Sequence, residues 1–244
     1  MNGPGLLALV GGDEFHPGNE PHDEVLAASA RGNGAAYVVA TAAGRSHPEA
    51  AVRHAAAWFR RFGLDVVELR AYTNAQARVL ATADAARRAA FIYLTGGDPG
   101  LVASALRGSP VGDGLIAAWR DGAVLAGSSA GAMALCEHVL VRQRFPGNVD
   151  RRPVAGLAVV PDSAVLPHHE TFGRRWLPSA REALPEAILI GIDERTCALW
   201  EAGIWRCVGA GSVTVYRDAD AADRYRSGSV IDGIPEVRGG VRLS

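Results

Sequence analysis

Short apolar runs of four or five residues, most of them closed by glycine or other small residues, alternate with helical patterns through the first half of this chain. That rhythm leaves few folds open. Leu6–Val10 ends in Gly11-Gly12, Ala36–Ala40 in Thr41-Ala42-Ala43-Gly44, and Ala90–Leu94 in Thr95-Gly96-Gly97-Asp98; Asp65–Leu69 and Ala123–Ala126 are further runs. Between them, Pro48 suits the first turn of a helix whose inner face is Val52, Ala55, Ala56 and Phe59, and Gly63 ends it. An alanine-rich helix is expected from Asn74 to about Arg88 with Val79, Leu80 and Ala83 inward, and shorter ones over Leu101–Leu106 and Gly114–Arg120. Strands and helices in this order predict a mostly parallel sheet covered on both faces, a three-layer α/β sandwich.

The second half predicts strands over Ala155–Val160, Ala164–Leu166 and Ala187–Ile192, with a helix near Thr171–Leu184. Cys197–Trp200, Ile204–Val208 and Val213–Tyr216 follow at short intervals and read as antiparallel additions to one edge of the sheet. No repeat, linker or charge block divides the chain. Residues 1–244 therefore read as a single α/β domain.

Chemistry concentrates at Gly127-Ser128-Ser129-Ala130-Gly131-Ala132, directly after the run ending at Ala126 and before the helix formers Met133, Ala134 and Leu135. A strand that turns this tightly into a helix pushes its apical serine outward, the G-x-S-x-G elbow of a nucleophile. The bare pattern arises by chance about once in six chains of this composition, so its weight comes from the strand–turn–helix context. A serine needs a base. Of seven histidines, His54 and His138 fall on predicted helices, and His16 and His22 in a predicted acidic loop. His168 and His169 instead follow a strand and Pro167, at the carboxyl edge where open α/β sheets bind ligands. His168 is the preferred base. The acid that orients it is Asp193 or Glu194 after Ile188–Ile192, with Asp150 and Asp162 as competitors. The N–H of Ala130 and the Gly96-Gly97 backbone are candidate oxyanion donors.

Composition excludes other chemistries. A net charge of −1 gives no reason to expect nucleic acid or an anionic membrane as partner. All 25 basic residues are arginine, so a Schiff-base lysine or serine–lysine dyad is ruled out. Cys136, Cys197 and Cys207 lack metal-type spacing. Leu6–Val10 is too short for a signal peptide or membrane span and reads as the first strand, which makes the cytoplasm the expected location.

Taken together, Leu94-Thr95-Gly96-Gly97-Asp98, Gly127 to Ala132, Leu166-Pro167-His168 and Gly191-Ile192-Asp193-Glu194 resemble the aspartyl dipeptidase (dipeptidase E) and cyanophycinase family of serine peptidases. The likeness runs in order and spacing across roughly residues 5–215. It implies a class I glutamine amidotransferase-like (flavodoxin-like) fold and a triad of Ser129, His168 and Glu194. It also implies an oxyanion hole at Gly97 and Ala130, with Gly96, Asp98 and His169 as substrate-binding positions. Pro99 and His169 depart from the family pattern, whereas Arg174 and Arg175 resemble a basic stretch that follows the histidine in cyanophycinases, within surroundings that match poorly. The expected substrate is a small peptide or isopeptide, aspartyl dipeptides included. No cofactor, metal, nucleic acid or membrane is expected, and a homodimer is the assembly to test. The competing readings are an α/β-hydrolase-type esterase using Asp150 or Asp162, and a silent ligand-binding member of the same fold.

Overall fold

The computed structural model describes residues 3–30, 32, 34–142, 150–218 and 222–238. Five strands form a parallel array: β1 (Leu7–Val10), β2 (Ala36–Val39), β3 (Val66–Glu68), β4 (Phe91–Leu94) and β5 (Val124–Ser128). Connecting helices are α1 (Glu20–Ser29), α2 (Pro48–Arg60), α3 (Leu80–Arg87), α4 (Pro99–Leu106) and α5 (Pro110–Arg120), and α6 (Ala130–Leu135) follows β5. A hairpin of β6 (His138–Arg142) and β7 (Arg151–Ala155) comes next, then β8 (Ser163–Leu166), α7 (Leu177–Ala183) and β9 (Ile188–Ile192). The chain closes through β10 (Thr196–Glu201), β11 (Ile204–Gly209), β12 (Ser212–Tyr216), β13 (Ala222–Arg226) and β14 (Val230–Ile231).

The main sheet runs β14-β11-β10-β1-β5-β4-β2-β3, with β10, β11 and β14 antiparallel beyond β1. A second sheet, β13-β12-β9-β8, packs beside it. Side-chain alternation along the strands makes the layers. Ala8 and Val10 of β1 and Phe91 and Tyr93 of β4 meet Leu26 of α1 and Trp58 and Phe59 of α2. Leu7, Leu9, Ile92 and Leu94 face the other way, into a core shared with α3 to α6 and with Val165, Ile190 and Val213 of the second sheet. Each large apolar side chain fully buried this way contributes about 1.5–3 kcal/mol.

Several local expectations are corrected. The acidic segment around His22 is helix α1, and it buries His22 and Asp23 against Trp58, whose Nε1–H donates to Asp23 Oδ2 at 2.7 Å. The helix expected over 74–88 is a 3-10 turn (Gln76–Arg78) and then α3. Val79 is extended and Leu80, 73% exposed, points outward; alanine-rich sequence favours a helix without specifying its face. Segment 156–160 is not a strand. The pairing partners there are β6 and β7, so His138 starts a strand and does not sit on a helix. Of the antiparallel C-terminal strands, only β10, β11 and β14 extend the main sheet; β12 pairs with β9.

Candidate active site

The carboxyl ends of β1, β4 and β5 converge with the ends of β8 and β9. β5 ends at Ser128, and Ser129 takes φ +48° before α6 begins. A Cβ on Gly127 would come within 2.5 Å of the Gly131 backbone, and one on Gly131 within 2.3 Å of the Leu94 carbonyl. Both glycines are therefore steric requirements of the elbow. The Ser129 N–H donates to the Val10 carbonyl at 2.9 Å, and its hydroxyl does not cap α6. It points to His168.

His168 leaves β8 through Pro167 with φ +49°, and its N–H donates to the Gly11 carbonyl at 2.7 Å. Its Nε2 lies 3.1 Å from Ser129 Oγ and its Nδ1 2.7 Å from Glu194 Oε1. The tautomer that satisfies both contacts has Nδ1–H donating to the carboxylate and Nε2 accepting from the hydroxyl. Both ring nitrogens are thereby occupied by Ser129 and Glu194, which leaves neither for Asp150 or Asp162. Phe172 stacks on the imidazole with ring centroids 4.7 Å apart. Gly12, at φ +126°, also lies against the ring and offers no Cβ; one built there would come within 2.2 Å of it. Glu194 is anchored through its own N–H, which donates to the Glu170 carboxylate at 2.9 and 3.0 Å. Burial, reinforced by the neighbouring charges of Asp193 and Glu194, raises the Glu170 pKa.

The N–H groups of Gly97 and Ala130 have no acceptor among the described residues, and both residues line a cavity of about 680 Å³ that Ser129 and His168 share. Gly97 has φ +139°, and a Cβ there would meet the Ala42 carbonyl at 2.4 Å. Three arginines, Arg45, Arg142 and Arg151, line the same cavity beside apolar Met133, Leu140 and Trp176. The Arg151 guanidinium lies over the Trp176 ring, 4.1 Å from its centroid. Burial first, and the nearby Arg142 charge second, lower the Arg151 pKa. A hydroxyl, imidazole and carboxylate in this series can move a proton off oxygen while two free N–H groups receive developing negative charge.

Not every expected position reaches this cavity. Asp98 lines it, but its carboxylate caps α4 by accepting from Gly100 N–H at 2.8 Å. The Gly96 N–H is already committed to Glu14 Oε1 at 2.7 Å, so it is not free for substrate. His169 is 7% exposed and turned into the second sheet, with Nε2 3.0 Å from the Tyr216 hydroxyl and Nδ1 3.5 Å from Asp193. Consecutive residues leaving a strand point to opposite sides, which is why His168 and His169 part. Asp193 belongs to that second cluster. Burial would raise its pKa, but hydrogen bonds from His169 and Ser212 outweigh this and hold it well below the usual carboxylate range. Arg174 and Arg175 line a cavity on the His169 side, away from Ser129. Sequence reasoning passed over Gly12, Phe172, Glu170 and the hairpin arginines. The doubled glycine after β1 was the one visible signal among them.

The sequence signature of Peptidase family S51 matches residues 6–203. A cyanophycinase from Trichormus variabilis is 35% identical over 130 residues, 51% of this chain and 44% of that protein. The chain thus spans less than half the length of the curated relatives it first matches. The crystal structure of a peptidase from an acI-B1 Actinobacterium superposes with a TM-score of 0.81 at 28% identity, covering 94% of this chain and 97% of that one. A protein of Listeria monocytogenes EGD-e carrying the name peptidase E shares the fold at a TM-score of 0.57 and 16% identity, over 88% of this chain and all of its own.

Proposed function

The chain belongs to Peptidase family S51, and from that premise we propose that it is a serine hydrolase that cleaves small acidic peptides or isopeptides through Ser129, His168 and Glu194. The observation that carries this reading is the unbroken contact series at 3.1 and 2.7 Å from hydroxyl to imidazole to carboxylate. Ser129 Oγ attacks the scissile carbonyl while His168 Nε2 takes its proton, and Glu194 holds the imidazole in the correct tautomer. The carbonyl oxygen, now carrying the charge, is held by the N–H groups of Gly97 and Ala130. Collapse of the tetrahedral intermediate breaks the C–N bond, and the His168 proton goes to the departing amine. Water then enters by the same route in reverse, and the acid product leaves Ser129 free.

Acidic substrates are supported by the three cavity arginines, because a guanidinium pairs with a carboxylate in two parallel hydrogen bonds. Aspartyl dipeptides fit that description. Among the described residues no helix is long and apolar enough to cross a membrane and no cluster of three or more potential metal ligands occurs. A cytoplasmic location is supported by three unpaired, buried cysteines. The reaction uses residues of one chain, so a homodimer is not required for it. No observation favours an esterase built on Asp150 or Asp162, since the imidazole is engaged by Glu194.

The test is a dipeptide library that includes β-aspartyl and N-terminal aspartyl members, run beside a fluorophosphonate probe. Turnover should centre on acidic members, and Ser129→Ala should abolish both turnover and labelling, a loss of at least about a thousandfold. Its melting temperature should stay near that of the wild type. Labelling of the Ser129→Ala protein at the original rate would show that a different serine reacts.

A further inference from the structure

Resting on the serine mechanism above, we infer that Glu14 is a positioning residue that sets the oxyanion hole. Glu14 sits in the loop leaving β1, between Asp13 and Phe15, which both adopt left-handed backbone at φ +58° and +62°. A non-glycine residue rarely adopts that conformation, so two of them flanking one side chain mark a loop held in place by its surroundings. The carboxylate accepts from the Gly96 N–H at 2.7 Å and from the Ser128 hydroxyl at 2.8 Å. Gly96 precedes the oxyanion donor Gly97, and Ser128 precedes the nucleophile. One side chain therefore ties together the exits of β1, β4 and β5.

The peptide groups on both sides of the Gly96–Gly97 peptide are fixed by this arrangement. Glu14 holds the N–H of Gly96, and the Asp98 N–H donates to the Ala42 carbonyl at 2.9 Å. The Gly97 N–H between them has no acceptor among the described residues, and Gly97 lines the cavity with Ser129. Packing leaves no slack, since a Cβ on Gly96 would lie 2.9 Å from Glu14 Oε1 and 3.4 Å from the Ser129 Cβ. An oxyanion donor acts only within a narrow distance of the charge it receives, and a displacement of about 1 Å can cost about a hundredfold in rate. Among the described residues Glu14 makes no hydrogen bond to Ser129 and does not line the cavity, so its effect passes through Gly96-Gly97 and Ser128.

Fluorophosphonate labelling tests this without a known substrate. In that reaction Ser129 Oγ bonds to phosphorus, the P–F bond breaks, fluoride departs and His168 keeps the serine proton, with the phosphonyl oxygen in the oxyanion hole. Glu14→Ala removes both contacts and should slow labelling by at least about tenfold. Glu14→Gln can accept from Gly96 with its carbonyl and donate to Ser128 with its amide, and should label within about threefold of wild type. Melting temperatures of the two variants should not follow their rates. Wild-type labelling by Glu14→Ala overturns the inference, as does equal loss in Glu14→Gln. If Glu14→Ala does not fold, the Gln variant is paired with Ser128→Ala, which leaves only the Gly96 contact. Ser128→Ala should then keep a measurable rate, and labelling as slow as that of Ser129→Ala also overturns the inference. A wild-type protein that never labels refutes instead the serine mechanism on which this rests.

Discussion

At the scale of single residues, the site is defined as much by missing side chains as by those present. Gly12 is the clearest case, because any Cβ there occupies the space of the His168 ring. Gly12→Ala should displace the imidazole and slow fluorophosphonate labelling by about a hundredfold, with the fold retained as judged by circular dichroism. Labelling at the wild-type rate would mean the ring can move aside freely. Ser129 and His168 were legible in the sequence because each follows an apolar strand, so chain pattern alone puts them at one edge; that pattern left Asp193 and Glu194 as alternatives, and the family resemblance pointed to Glu194. Gly12 was visible only as the end of a strand, since its collision partner lies far along the chain. His169 was given a substrate-binding role by the family resemblance, whereas alternation along the chain leaving β8 turns it away from His168 and into the second sheet.

At the scale of elements, α1 carries the main surprise. Its first turn holds Pro21 and several charges, which reads as a solvated loop, yet packing on β5, β10 and β11, with Trp58 of α2 bonded to Asp23, buries His22 and Asp23. Burial lowers the His22 pKa to about 4 and raises that of Asp23 to about 8, the latter also through the Glu14 and Glu20 charges and against the Trp58 hydrogen bond. Between pH 4 and 6.5 the unfolded chain protonates His22 and the native state does not, so this residue makes stability rise with pH. Asp23 acts oppositely, holding a proton in the native state that the unfolded chain has released, so its contribution falls from about pH 4 to 8. The two slopes offset each other up to about pH 6.5, and above it Asp23 acts alone. The melting temperature should therefore drop between about pH 6.5 and 8.5, and Asp23→Asn should flatten that drop. The same drop in both proteins would place its source elsewhere. The alternation of β1 to β5 with helices was readable from periodicity. The split of 74–88 was not, because alanine supplies helix propensity without a face.

At the scale of the whole molecule, one apolar core runs from α3 to α6 across the main sheet into the second. The pairing of β12 with β9 in place of β11 could not be read from spacing, because it is decided by contacts between distant segments. Continuity of that core predicts a single cooperative transition. Urea unfolding followed by far-ultraviolet circular dichroism and by loss of probe labelling should give coincident curves. Two separated midpoints would divide the chain into independent units. The hydroxyl comes from the main sheet, while the imidazole and carboxylate come from the second. A gene interrupted by a premature stop anywhere ahead of codon 194 thus encodes no weakened enzyme: the damage is all or none, and partial alleles of that kind should behave as nulls in any genetic screen.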